Sequence, residues 1–248
     1  MIQKLIVLLA AAYFITEYGL QTSKIIQGKI SREVLSYAKY SASYFVVALL
    51  MSVNWFSWQL IAAILFQVFF FGIFEYVSIN LKSRKPQFRF EIEIFDILLH
   101  IIVIWFTLLI LKPDFKNLDA AFTLPVSVSQ SFYIKLCLYV SAIIFLLNGG
   151  TILVRAVLKK VKIEDEKIEK DNTGKLIGNI ERILLFILIL SDNLAAIGFV
   201  ITAKSIARFE ELKHKKFAEY YLIGTLTSAV IAILTGKLVV FLIHLFDL

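Results

Sequence analysis

The chain has 248 residues, of which 59% are hydrophobic, and a formal net charge of +7. A soluble domain would be about 45–50% apolar, so this composition excludes an ordinary soluble protein. The basic residues cluster at the ends of apolar runs, which indicates membrane orientation signals and lipid headgroup contacts and argues against nucleic-acid binding.

Seven apolar runs of about 17–25 residues predict helices that cross a lipid bilayer. All three prolines lie in the gaps between these runs. The sequence therefore predicts an all-α, polytopic transmembrane helical bundle with six or seven spans and the lipid bilayer as its surroundings. The predicted spans are 4–21, 38–54, 57–80, 94–111, 131–156, 183–203 and 220–243.

The charged gaps predict which ends of the spans face the cytoplasm. Basic residues are concentrated around Lys29, around Arg84 and between Lys159 and Arg182, whereas the 112–130 loop carries few. Because cytoplasmic loops are enriched in Lys and Arg, this distribution predicts an N-terminus on the outside.

The sixth run is interrupted at its middle by Ser191, Asp192 and Asn193. A straight helix over 183–203 would place the Asp192 carboxylate near the centre of a hydrocarbon layer about 30 Å thick, at a cost of about 2.5–3.5 kcal/mol. A full crossing would also leave the basic gap that follows on the outside, against the positive-inside bias. Two half-helices that return to the cytoplasm would remove this conflict, so a single crossing and a re-entrant form both stay open.

The pattern divides the chain into three parts: a five-span membrane part over 1–158, a charged cytoplasmic linker over 159–182, and a C-terminal membrane part over 183–248. Within the last part, apolar residues near helical spacing predict a short amphipathic interfacial helix over 204–218. The linker and this helix also fit a surface that docks a cytoplasmic partner protein. A homo-oligomer stays open.

Polar residues in the early runs fall on shared helix faces. Glu17 and Gln21 are four residues apart, as are Asp96 and His100, so each pair shares a face. Together with Glu75 of the third run, these residues form a candidate metal or proton site. The alternative is that they lie near span ends and contact water or headgroups.

A second polar set lies in the C-terminal part. Gly224 and Ser228 are four residues apart, which predicts a close approach of two membrane helices. The hydroxyls of Thr225 and Ser228 are then expected to bond the polar residues at 192–193, and Lys237 either pairs with Asp192 or extends to the surface. The alternative is that these polar residues only hold two helices together through hydrogen bonds. The midplane polar set is Asp192, Asn193, Thr225, Ser228 and Lys237, and the cytoplasmic interface set is Glu181, Arg182, Lys204, Arg208 and Glu219.

Other chemical signals are weak. Gly149 and Gly150 inside the fifth run predict close packing or a kink. The lone Cys137 excludes a disulfide framework and a cysteine-based metal site. No phosphate-binding loop or Ser-His-Asp arrangement is present, so the sequence assigns no catalytic residue and no cofactor.

Two stretches carry a resemblance to a known family. They are Tyr13-Phe14-Ile15-Thr16-Glu17-Tyr18-Gly19-Leu20-Gln21-Thr22, and Gly178 to Ser228 with Ile180-Glu181-Arg182 and Ala218-Glu219-Tyr220-Tyr221. Both resemble bacterial membrane proteins of the "domain of unknown function 3307" family.

The family's N-terminal pattern usually reads His-x-x-x-Asp-x-x-x-Gln. Tyr13 stands at the His position and Glu17 at the Asp position, while Gln21 is kept. Asp96 and His100 resemble a further Asp-x-x-x-His element. The resemblance implies a multi-pass protein of a bacterial cytoplasmic (inner) membrane, and it implies no established activity.

Three functions are compatible with these patterns. The leading prediction is small-ion or proton-coupled transport or a channel, in which Asp192 and Asn193 form the midplane site and Lys204 and Arg208 act as a cytoplasmic gate or lipid anchor. A membrane-embedded metal-dependent hydrolase, using Glu17, Asp96 and His100, is one alternative, although a single His is few for such a site. The other is a non-catalytic membrane subunit that docks a cytoplasmic partner.

Overall fold

The computed structural model describes residues 2–55, 57–111, 130–160 and 172–247. Its regular elements within these ranges are all helical, and six of its helical segments are long and apolar enough to cross a membrane. The prediction of an all-α, multi-pass membrane protein is confirmed. The six segments are Ile2–Leu20, Val34–Met51, Trp58–Arg84, Pro86–Ile110, Gln130–Lys160 and Lys215–Leu245.

The helices in chain order are α1 (Ile2–Ile15), α2 (Ser23–Ile30), α3 (Val34–Met51), α4 (Trp58–Arg84), α5 (Arg89–Leu111), α6 (Gln130–Ile144), α7 (Gly150–Lys160), α8 (Asn172–Leu190), α9 (Leu194–Ala207) and α10 (Lys215–Leu245). A π-helical segment, Thr16–Leu20, extends α1, and a second, Phe145–Gly149, joins α6 to α7. Short 3-10 turns precede α4, α5 and α10.

The described residues fall into two compact units. The first takes the chain up to Ser141 together with the C-terminal end from Leu245, and the second takes Ala142–His244. The sequence predicted the boundary at 158/159 instead. The structural division falls inside the continuous Gln130–Lys160 span, where no proline or change in composition marks it.

The first unit is built around four helices that pack in a ring, with α1 against α3 and α5, and α4 against α3 and α5. Its helices bury polar side chains and expose apolar ones. On α4, Phe69 and Ile73 are 64% and 42% exposed, while Gln67 and Glu75 are 0% and 4% exposed. A protein surrounded by water would bury its apolar side chains and expose its polar ones. The exposed apolar faces here therefore suit contact with lipid, and the polar groups occupy the interior.

Residues 183–203 form two helices rather than one. Asp192 has a left-handed backbone (φ 52°), and the N–H groups of Asp192 and Asn193 donate back to the carbonyls of Ile189 and Leu188 at 3.0 and 2.9 Å. This pair of bonds ends α8, and the short Asp side chain tolerates the left-handed conformation. The Asn193 side chain then accepts a backbone N–H bond at 3.4 Å and begins α9.

The two half-helices form an antiparallel hairpin. Lys204 of α9 pairs with Glu181 of α8, with Nζ 2.5 Å from Oε2. These residues lie at similar chain distances on either side of the turn at Asp192, so α9 runs back along α8. The single straight crossing is therefore not formed, and the helix break that the re-entrant alternative requires is present.

The single amphipathic helix predicted over 204–218 is not formed either. After α9 ends, the chain passes through the 3-10 turn Glu211–Lys213 and the extended residue His214 (φ −84°, ψ 111°) before α10 begins. Ile206 and Phe209 remain 69% and 62% exposed. The apolar residues that suggested one helix are distributed over the end of α9, the turn that follows it and the start of α10.

The predicted linker over 159–182 is partly helical. α7 continues to Lys160, and α8 begins at Asn172. Residues 161–171 lie outside the described residues, as does most of the 112–130 loop. The docking role predicted for the linker therefore stays a prediction.

Candidate functional site

A line of buried polar side chains runs through the interior of the first unit. Its members lie on one face of α4 and on one face of α5. From Glu93 to Thr107 the α5 line covers about 21 Å, a large part of a hydrocarbon layer about 30 Å thick. The members are Gln67, Glu75 and Ser78 on α4, and Glu93, Asp96, His100 and Thr107 on α5.

Lys29 enters this line from the short helix α2. Its ammonium donates to Glu75 Oε1 at 2.7 Å and to Gln21 Oε1 at 3.0 Å, and it lies 3.6 Å from the centroid of the Tyr40 ring. Lys29 is 0% exposed. Gln21 also donates to Glu17 Oε2 at 2.6 Å, so a single hydrogen-bonded chain joins the two carboxylates through the lysine and the amide.

A second lysine, Lys82, contacts this line of polar residues one helical turn after Ser78 on α4. Lys82 Nζ lies 2.6 Å from Glu93 Oε2, and the Tyr18 hydroxyl donates to the other oxygen of Glu93 at 3.1 Å. Glu93 is 5% exposed, whereas the Lys82 side chain is 16% exposed. This ion pair lies where the line approaches the charged ends of the helices.

Asp96 and His100 lie deeper along α5. His100 Nδ1 donates to the Asp96 backbone carbonyl at 2.7 Å, and its ring stacks on Tyr13 at 4.5 Å between centroids. The hydrogen bond at Nδ1 leaves Nε2 as the free ring nitrogen. Within the described residues, this Nε2, the Tyr13 hydroxyl and Thr16 Oγ1 are buried without a hydrogen-bond partner.

The far end of the line is uncharged. The Tyr44 hydroxyl donates to Gln67 Oε1 at 2.7 Å, and Gln67 Nε2 donates to Thr107 Oγ1 at 2.7 Å. The Phe71 ring separates this end from the charged one, with its centroid 4.3 Å from that of His100 and 4.7 Å from that of Tyr44. The interior thus consists of a charged half and a neutral half with aromatic rings between them.

The charged half carries more acids than bases. Glu75, Glu93 and Asp96 are buried, and half-buried Glu17 is bonded to the same network. Only two lysines, Lys29 and Lys82, are paired with these acids in the described part of the chain. If all six groups were ionised, four negative charges would face two positive ones, and an uncompensated charge in such a place is costly.

The early set predicted from the sequence is thus largely brought together. Each four-residue pair makes the expected contact, Gln21 to Glu17 and His100 to Asp96. Over the described ranges, however, no group of three or more His, Cys, Asp or Glu side chains is placed to hold a metal ion. The cation that Glu75 and Gln21 meet is the Lys29 ammonium, so the metal prediction gains no support from this geometry.

The predicted midplane set is divided by the structure. Asp192 and Asn193 form the exposed hairpin turn, and the Asp192 side chain is 89% exposed. Lys237 Nζ lies 3.9 Å from Asp192 Oδ1, which agrees with the pairing expected from the sequence. Thr225 and Ser228 are buried nearer the start of α10, about 18 and 14 Å from Lys237 along the helix axis. They therefore do not reach Asp192.

Ser228 instead bonds Arg182, which the sequence placed at the cytoplasmic interface. Arg182 is 3% exposed and donates to the Leu146 carbonyl at 2.7 Å, to Ser228 Oγ at 3.1 Å and to Thr151 Oγ1 at 2.7 Å. It also bonds Asn179 Oδ1. A Cβ at Gly150 would lie 3.0 Å from Arg182 Nε, so the close packing predicted for this glycine is confirmed.

The other members of the predicted interface set behave as surface or partly buried residues. Glu181 pairs with Lys204 as described above, and Arg208 pairs with Glu211 at 3.1 Å on the surface. Glu219 is exposed.

Sequence reasoning missed Lys29, Lys82, Glu93 and Tyr18 as members of the site. The two lysines lie in charged gaps and were interpreted as topology signals. The sequence does contain one signal for Lys82. The polar face of the third apolar run that includes Gln67 continues at helical spacing through Glu75, Ser78 and Lys82.

The fold and the buried polar interior define a multi-pass helical membrane protein. Comparisons of the chain with protein families, curated proteins and solved structures found no match. The resemblance to the "domain of unknown function 3307" family therefore stays a prediction.

Proposed function

We propose that the first unit moves protons or a small cation across the membrane, as a transporter or a channel. The observation that carries this proposal is the Asp96 carboxylate, which is 4% exposed inside a membrane-spanning helix. The nearest basic side chain within the described residues is His100, with Nδ1 3.8 Å from Oδ1, and no lysine or arginine pairs with Asp96 there. Carboxylates in such positions mark ion and proton pathways.

The charge balance of the site supports the same function. Four acids and two lysines leave an excess of two negative charges when all are ionised. Protons or cations that enter the site remove this excess and with it the cost of burying unpaired carboxylates. The site is therefore suited to species of positive charge.

The length of the polar line also supports transport. It extends from the Glu93 ion pair to Thr107, and the unpartnered polar atoms of Tyr13, Thr16 and His100 adjoin it. Such atoms can bond water or an ion that passes along the interior. The Phe71 ring interrupts the line, so passage requires a movement of this aromatic group, which favours a gated path over an open pore.

The transport prediction made from the sequence is kept, but its residues change. Asp192 and Asn193 form the exposed hairpin turn, where Asn193 caps α9 and Lys237 Nζ lies 3.9 Å from Asp192 Oδ1. We assign the charged site to Glu75, Glu93, Asp96 and His100 instead.

The test compares the same chemical change at two positions. Asp96→Asn and Asp192→Asn each replace a carboxylate by an amide, one in the buried line and one on the exposed turn. In proteoliposomes on a solid-supported membrane, Asp96→Asn is expected to reduce proton- or cation-driven charge movement by about tenfold or more, because it removes the unpaired ionisable group. Asp192→Asn is expected to leave charge movement within about twofold of the wild type. Equal charge movement in the wild type and in Asp96→Asn would sink the proposal.

A further inference from the structure

We propose that Glu75, Gln21 and Tyr40 form a binding site for a primary ammonium ion, and that Lys29 occupies this site in the resting protein. The inference rests on the proposed cation transport and names the chemical class of the cation. Lys29 is then a tethered occupant that a free ammonium or small alkylammonium ion replaces.

The contacts of Lys29 are those of an ammonium receptor. One N–H donates to the Glu75 carboxylate at 2.7 Å and another to the Gln21 amide oxygen at 3.0 Å. The nitrogen also lies 3.6 Å from the centroid of the Tyr40 ring, in the range of a cation–π contact. A carboxylate, an amide oxygen and an aromatic face together satisfy both the charge and the donors of an R–NH₃⁺ group.

The burial pattern of α2 shows that this contact positions the helix. α2 buries the lysine at 0% exposure while its isoleucines Ile26 and Ile30 are 44% and 62% exposed. The Tyr37 hydroxyl donates to the Lys29 carbonyl at 3.0 Å, and a Cβ on Gly28 would lie 2.0 Å from Ser36 Oγ. The helix is thus pressed against α3 with its cationic side chain directed inward, the reverse of ordinary hydrophobic burial.

The ligand set discriminates against other cations. A divalent metal needs about six oxygen ligands, and the aromatic face of Tyr40 supplies none. No metal-ligating group of three acidic, His or Cys side chains occurs within the described ranges. A quaternary ammonium ion would gain the aromatic contact but could not donate to Glu75 or Gln21.

Exchange of Lys29 for a free ammonium ion conserves the charge at Glu75. The buried carboxylate keeps one N–H⁺ partner before and after the exchange, so it avoids the cost of standing unpaired.

The experiment measures binding rather than flux. Lys29→Ala removes the side chain beyond Cβ, which is the size of n-propylammonium. Addition of n-propylammonium to the detergent-purified variant is expected to raise its melting temperature by about 3 °C at saturating concentration. Tetramethylammonium and Na⁺, which carry the same charge without N–H donors, are expected to produce no rise.

Two controls separate this site from general amine effects. The double variant Lys29→Ala with Glu75→Ala lacks the carboxylate and should not respond to propylammonium. Lys82→Ala removes the other lysine of the cluster, which pairs with Glu93, and should respond less than Lys29→Ala. An equal response to tetramethylammonium, an equal response in the double variant, or no response in Lys29→Ala would overturn the proposal.

A second measurement covers the case in which Lys29→Ala does not fold. Wild-type proteoliposomes with a propylammonium gradient should show charge movement on a solid-supported membrane, and Glu75→Gln should reduce it by about tenfold. If the wild type moves protons or K⁺ but no propylammonium, the ammonium inference is wrong while the transport proposal stands. If Lys29→Ala binds propylammonium but no charge moves in the wild type, the transport proposal fails instead.

Discussion

Arg182 is a buried cation whose recorded bonds are all to neutral acceptors. One of these acceptors is the Leu146 carbonyl, which belongs to the π-helical segment Phe145–Gly149. π-helical segments inside α-helices are rare, and the Arg182 side chain donates to this one from α8. The guanidinium thereby ties α8 to the irregular part of the fifth span within the second unit.

Loss of this side chain should therefore destabilise the second unit. We expect Arg182→Ala to lower the free energy of unfolding by about 2–4 kcal/mol, because the Leu146 carbonyl and the Thr151 and Ser228 hydroxyls lose a charged donor. The measurement is denaturant unfolding in detergent followed by far-UV circular dichroism, because the three tryptophans all lie in the first unit. Arg208→Ala, which removes a surface arginine, is the matched control and should change stability by less than about 0.5 kcal/mol. Similar losses in both variants would contradict a special role for Arg182.

At the scale of elements, α8 and α10 approach closely at a glycine. A Cβ at Gly236 would lie 2.8 Å from Ile189 Cγ2, closer than side-chain carbons approach one another. Gly236→Ala is therefore expected to cost about 1–3 kcal/mol through overpacking. Gly198 provides the matched control, since a Cβ there meets nothing within 4 Å, and Gly198→Ala should be neutral or stabilise α9 by up to about 1 kcal/mol.

The same clash predicts coupling between two residues. Ile189→Ala removes the side-chain atoms that a Cβ at Gly236 would meet, so the double variant Ile189→Ala with Gly236→Ala should lose less stability than the sum of the single variants. Melting temperatures of the four proteins in one detergent measure this difference. Additive losses would show that the two helices separate when Gly236 is replaced.

The hairpin illustrates what a local sequence pattern can and cannot predict. Ser191, Asp192 and Asn193 indicated a helix break as one of two open alternatives, and the break forms because Asp accepts a left-handed backbone and Asn caps a helix. The same residues were also interpreted as a midplane site, because sequence position alone suggested a depth in the membrane. Exposure of Asp192 follows from the three-dimensional path of α9, which the pattern did not define.

At the scale of the whole molecule, the spans could be predicted and the site only in part. Each of the six membrane-length segments overlaps a predicted span, because the length of an apolar run directly reflects the thickness of hydrocarbon. The Lys29–Glu75 pair joins residues 46 positions apart, and a lysine in a charged gap resembles any other topology signal. Burial of Arg182 was missed for the same reason, since its acceptors come from distant segments.

The number of crossings can be tested through the parity of the topology. Six spans plus a re-entrant α8–α9 hairpin place residues before and after the hairpin on one side of the membrane, whereas a seventh crossing would place them on opposite sides.

In a Cys137→Ser background, single cysteines at Lys175 and Lys213, both exposed, report on the two ends of the hairpin. Cysteines at Gln59 and Lys85, at the two ends of the α4 span, define the two sides. With a membrane-impermeant maleimide on oriented vesicles, we expect Lys175→Cys and Lys213→Cys to label together with Lys85→Cys. Labelling of Lys213→Cys with Gln59→Cys would instead establish a seventh crossing, and the basic residues that follow α9 would then lie on the side that the positive-inside bias disfavours.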